Sequence, residues 1–208
     1  MTTATATRQD LRESILDATD RLLARYGYTK LTMDDLAREV GIGKGTIYLH
    51  FRSKEELVLS HIDRIVERVK AEMTTIAASG GDPGARLRRM LLARVLIRFD
   101  SVQHYTESLS DVLAAIRPTL LARRKRYFEE EAAILAQVLE EGARGGAFAL
   151  DDAEGAAEAL LTATNALLPY SLSRRELGER KDLAERTGRI ASLLLDGLRA
   201  RPTKPQTT

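Results

Sequence analysis

The sequence contains no cysteine. Disulfides, thiolate metal sites and cysteine nucleophiles are therefore excluded together, and the absence suits a reducing cytoplasm. Tryptophan is also missing and aromatic residues make up only 5% of the chain. That scarcity argues against an aromatic cage for a cationic ligand and towards an apolar effector, if one is bound. No apolar run approaches the roughly eighteen residues of a membrane span, so no membrane partner is expected. The opening MTTATATRQD lacks the apolar segment of a secretory signal. The formal net charge of +2 gives no bulk basic excess, so any footprint on nucleic acid has to be local. His50, His61 and His104 show no ligand spacing among themselves. No metal or cofactor site follows, no catalytic constellation can be assembled, and the chain is not expected to be an enzyme.

What the sequence does have is helical periodicity almost throughout. Leu11, Ile15, Ala18, Leu22 and Leu23 recur at three and four, giving an amphipathic helix that ends near Tyr26-Gly27-Tyr28. Thr32 precedes Asp34 and Asp35 as a cap signal for a second, short helix, which Gly41 stops. Ser53-Lys54-Glu55-Glu56 opens a long helix to about Ala78. Gly80, Gly81, Pro83 and Gly84 make the clearest break. A helix through Leu87 to Leu96 follows, then a less regular piece around 100–117 with one short helix ending before Pro118. Further helices are predicted from Pro118 to about Gly142, from Asp152 to about Ser173, and from Lys181 to Ala200. The fold class is all-α: residues 1–8 disordered, 9–54 a three-helix unit, 55–200 a larger helical body, and 201–208 a disordered tail.

The stretch VGIGKGTIYLHF, Val40 to Phe51, invites three readings. A nucleotide-binding loop fails, because the glycine spacing is wrong and a helix precedes the segment where a strand is needed. A plain helical corner explains Val40, Ile42, Ile47 and Phe51 as core residues. It leaves glycines 43 and 45, at the start of a short helix, unexplained at about 1 kcal/mol each. A DNA-reading helix explains more. A step of about 100° per residue puts Gly45, Thr46, Leu49 and His50 opposite Ile47 and Phe51, with Tyr48 on the flank. Between Gly41 and Lys54 the charged residues are Lys44, Arg52 and Lys54, all positive. Two short helices around a glycine turn, the second with the exposed polar face, form a helix–turn–helix. A helical protein–protein adaptor using the same corner without DNA is the alternative.

LTMDDLAREVGIGKGTIYLHFRSKEELV resembles the DNA-binding segment of TetR-type transcriptional repressors, and the likeness extends over about residues 9–57. It implies phosphate contacts from Thr32 and Lys54, base-edge positions for Lys44 and Gly45, and phosphate or base contacts from Thr46, Tyr48 and His50. Leu49 stands where the family often has an aromatic or polar residue, implying an apolar contact such as a thymine methyl. Gly43 replaces a common small hydroxyl residue or alanine and offers no side-chain contact.

The resemblance further implies a homodimer on a palindromic double-stranded operator, released by a small-molecule effector. The dimer would form through the last two helices: Leu160, Leu161, Thr164, Leu167 and Leu168 on one, Ile190, Leu194, Leu195 and Leu198 on the other. Candidates to line the effector site are Phe99, His104, Tyr105, Tyr127, Phe128 and Asn165. The run Arg123-Arg124-Lys125-Arg126 followed by Glu129-Glu130-Glu131 reads as a solvated helix face with pairs at three and four.

Overall fold

A computed structural model of the chain describes residues 2–102, 109–169, 176 and 178–199. Eight α-helices span them: α1 (Thr2–Lys30), α2 (Met33–Val40), α3 (Lys44–His50), α4 (Lys54–Ala77), α5 (Pro83–Val102), α6 (Leu109–Arg144), α7 (Ala153–Asn165) and α8 (Arg180–Leu198). No strand occurs among the described residues, apart from an isolated bridge pairing Phe148 with Arg199. None of these helices is long and apolar enough to cross a membrane.

The helical residues divide into two packed units, and the division differs from the one the sequence suggests. The first comprises residues 1–66 and 101–123; the second comprises 67–100 and 124–208. The boundary is not at residue 54, because Leu57, Val58 and Leu59 of α4 and Ile116 of α6 are buried in the same core as Ile15, Leu16, Leu23 and Leu36. Helices α4 and α6 each contribute one part to each unit.

Three local expectations need correction. The backbone is helical from Thr2, so α1 starts before residue 9; no Pro or Gly interrupts the run until Gly27, whose φ of 72° kinks it. Pro118 lies inside α6 instead of starting it. A proline there forfeits one helical hydrogen bond, but Ile116, fully buried, and Leu120 pack into the first core on either side of it. Helix α7 stops at Asn165, short of Ser173. Pro169 cannot donate to the Asn165 carbonyl and pushes Leu168 away from helical backbone. The expected tail, 201–208, lies outside the described residues.

The second unit holds two apolar clusters. One is built on Met73, Leu87, Leu91, Leu135, Leu139, Leu161 and Leu195, the other on Val95, Phe99, Leu167, Leu168 and Leu183. Charge is buried in this unit as well. Arg94 is 1% exposed and its Nε donates to Glu131 Oε2 at 2.6 Å, while Arg98 donates to the other oxygen of the same carboxylate.

Candidate nucleic-acid interface

The helix–turn–helix is built by local chemistry. Thr32, in extended backbone, caps α2: its hydroxyl oxygen accepts the Asp35 N–H at 3.1 Å. Asp34 and Asp35 then sit at the positive end of the helix. Gly41 ends α2 in the left-handed conformation, φ 78° and ψ 32°, which an L side chain resists. Its N–H and that of Ile42 both donate to the Ala37 carbonyl, at 2.9 and 3.0 Å. The chain turns through Gly43 into α3, and Ile47 and Phe51, both 0% exposed, fix α3 to the first core.

With that face anchored, the opposite face is determined. Lys44, Gly45, Tyr48 and Leu49 are exposed, and Thr46 and His50 are half-buried. Leu49 is 74% exposed, a large apolar side chain held in water. A Cβ built on Gly45 would meet nothing within 4 Å, and one on Gly43 would meet only Thr46 Oγ1 at 3.8 Å. Nothing in this chain requires glycine at 43 or 45; the room they leave lies on the outside.

Three charged groups are placed by specific neighbours. The Lys44 ammonium lies against the Asp34 carboxylate, and that hydrogen bond holds its pKa above the usual lysine value. His50 is pushed below the ordinary imidazole value by burial, then by the positive charges of Arg8 and Arg12. Lys54 departs from the implied phosphate role. Its ammonium is half-buried and donates to the carbonyls of Tyr28 and Leu31, at 2.7 and 3.1 Å, while lying 4.3 Å from the Tyr28 ring centroid. Burial lowers its pKa. It ties the α1–α2 junction to α4 and does not project into solvent as a bare cation. The Thr32 hydroxyl is likewise occupied, donating to Asp35 Oδ2 at 2.6 Å.

Residues 15–60 match the model of the family described as bacterial regulatory proteins, tetR family. Over 66 residues the chain is 42% identical to an HTH-type transcriptional regulator of Haemophilus influenzae, covering 32% of this chain and 35% of that protein. Over 84 residues it is 34% identical to the HTH-type transcriptional repressor KstR of Mycolicibacterium smegmatis, covering 40% of this chain and 41% of KstR. The chain thus aligns with less than half the length of either relative. A crystal structure of a transcriptional regulator from Cytophaga hutchinsonii superposes with a TM-score of 0.73 at 25% identity, over 90% of this chain and 97% of that one. Residues 15–60 are thus similar to the DNA-binding segment of TetR-family regulators, and the fold of the chain is that of a solved transcriptional regulator.

The second unit departs from the residue assignments made on sequence. Leu160, Leu161, Thr164, Leu167, Leu168 and Leu195, expected at a dimer interface, are buried inside the unit's own core. Ile190, Leu194 and Leu198 are half-buried against the same clusters. The α8 residues that face outward include Glu185, Arg189, Leu193 and Asp196, with Leu193 76% exposed. A shallow groove lined by Arg88, Glu185, Gly188, Arg189, Ser192 and Leu193 runs along this side.

The proposed effector residues scatter. Phe99 and Tyr127 are buried, and Phe128 is half-buried against the larger cluster. Asn165 is engaged internally, its Oδ1 accepting from Arg94 Nη2 at 2.6 Å. His104 and Tyr105 lie outside the described residues. The buried set Arg94, Arg98 and Glu131 was not anticipated; its one signal in the sequence is a pair of arginines four apart among the apolar positions of α5. Nor is the basic–acidic run of α6 wholly solvated. Lys125–Glu129 and Arg126–Glu130 pair at 3.7 Å on the surface, but Glu130 also binds Lys70 at 2.6 Å and Glu131 is interior.

Proposed function

We propose that the chain is a dimeric, ligand-responsive repressor of transcription, acting in the cytoplasm. It binds a near-palindromic DNA operator and is released from it by a small apolar effector. The observation that carries this is the outward face of α3. Lys44, Gly45, Tyr48 and Leu49 are presented on a helix whose other side is locked by Ile47 and Phe51. The gap at Gly45 lets a helix N-terminus approach a base edge or phosphate. Lys44 reaches a guanine edge, Tyr48, Thr46 and His50 contact phosphates or bases, and Leu49 meets a thymine methyl. Thr32 joins them once its hydroxyl is released from Asp35, and Lys54 acts by holding the reading unit together.

A single half-site contact is weak, and a dimer gains by spanning two. The dimer is proposed to form through the outward sides of α7 and α8, with Leu193 as its apolar contact. The effector site is assigned to the second unit, near Phe99, Tyr127, Phe128 and Asn165. Occupation favours a dimer conformation whose two α3 helices no longer match the operator spacing.

The test is binding to the promoter beside the chain's own gene, titrated with salt. Operator affinity should fall steeply with salt and exceed that for random duplex by about 1000-fold or more. Lys44→Ala and Tyr48→Ala should abolish operator binding while folding and dimerisation persist. Equal binding to random duplex, or binding indifferent to salt, would overturn the reading.

A further inference from the structure

Arg8 and Arg12 stand one helical turn apart near the start of α1, on a segment to which the sequence alone gave no role in binding. The structure fixes that segment beside the end of α3. The Arg12 guanidinium carbon lies 5.0 Å from the centroid of the Phe51 ring, and Phe51 is fully buried and directly follows His50. The rings of His50 and Phe51 are 6.4 Å apart. Arg8 is exposed and Arg12 half-buried.

Neither arginine forms an ion pair with a described residue. Other arginines of the first unit are paired, Arg21 with Glu39, Arg38 with Asp35, and Arg64 with Asp17, whereas the exposed Arg25 and Arg52 form no ion pair with a described residue. Two unneutralised guanidinium groups beside an imidazole repel one another. Their effect reaches His50, whose protonation they oppose after burial has done so. Such an arrangement is favourable when an anion is shared among the groups. Arg12, stacked over a buried ring, has less freedom to lose on holding an anion.

We propose that Arg8 and Arg12, together with His50, form a second anchor for the DNA backbone, gripping phosphate beyond the C-terminal end of α3. This rests on the DNA-reading function proposed above. The anchor carries no sequence information; it sets the register in which Lys44 and Gly45 meet base edges.

The experiment measures binding of the full-length protein to a labelled random duplex between about 50 and 200 mM salt. Each phosphate contact contributes about 0.9 to the slope of log affinity against log salt. The double variant Arg8→Gln/Arg12→Gln should therefore lose about 1.8 of slope per bound protomer, and Arg8→Gln alone about 0.9. Arg8→Lys/Arg12→Lys should restore it, and Lys125→Gln, in the second unit, should leave it unchanged. Should the double variant unfold, the single Arg8 variant decides. An unchanged slope in Arg8→Gln, with the wild type binding normally, overturns the anchor. A wild type that binds no duplex overturns the DNA-reading function itself, a different and distinguishable result.

Discussion

Lys44 Nζ sits 2.7 Å from Asp34 Oδ2, so the first cation of the reading helix is held by a carboxylate of the helix before it. Both side chains are about half exposed, at 48% and 58%, and the pair is open to competition from phosphate. On the DNA-reading function proposed above, Asp34 would screen Lys44 from indiscriminate contact with DNA. Asp34→Asn should raise affinity for random duplex by about 3- to 10-fold and steepen its salt dependence. Because exposed ion pairs contribute little, the melting temperature should stay within about 2 °C. Fluorescence anisotropy on random duplex checks the first effect; an affinity that does not rise refutes the screening role.

Gly45 separates folding from function. An alanine there meets no atom within 4 Å and has better helix propensity. Gly45→Ala should leave stability unchanged or raise it by up to about 1 kcal/mol. Operator binding should nevertheless fall at least about tenfold, because a methyl group costs the close approach to a base edge. Urea unfolding and operator binding on the same preparation test both halves.

Glu131 neutralises two buried guanidinium groups at once. Removing it in Glu131→Ala leaves Arg94 and Arg98 without their carboxylate in a site 1% exposed at Glu131 itself. Losing one partner from a buried ionic set costs about 3–5 kcal/mol, which equilibrium unfolding in urea will register. A loss below about 1 kcal/mol would mean that water or another group replaces the carboxylate.

Leu193 and Leu195 lie two residues apart on α8 with opposite fates, 76% and 2% exposed. If the outward side of α8 joins a second copy, Leu193→Asp should convert the dimer to a folded monomer in light scattering. Leu195→Asp should unfold the chain instead. A Leu193→Asp protein that remains dimeric would move the interface elsewhere.

The helix–turn–helix was legible because its determinants are local. A capping threonine, a left-handed glycine and two apolar residues four apart define it within twenty-odd residues, and Ile47 and Phe51 are anchors as their spacing implies. What sequence could not show depends on distant partners. Lys54 looked like a phosphate ligand because only the fold brings the carbonyls of Tyr28 and Leu31 to it. The leucines of α7 looked like an interface because an apolar stripe does not say which neighbour covers it. Pro118 looked like a helix start because its local penalty is visible in sequence, whereas the packing of Ile116 and Leu120 around it is not.

The discontinuity of the first unit has a practical consequence for anyone building hybrids from this chain. Residues 1–66 alone lack the stretch 101–123 that completes their packing, including Ile116. A single splice after the helix–turn–helix, joining it to a foreign sensor, would leave an uncovered apolar gap. A functional chimera has to transplant two segments together, with three crossovers made inside helices, between Val66 and Glu67, between Asp100 and Ser101, and between Arg123 and Arg124.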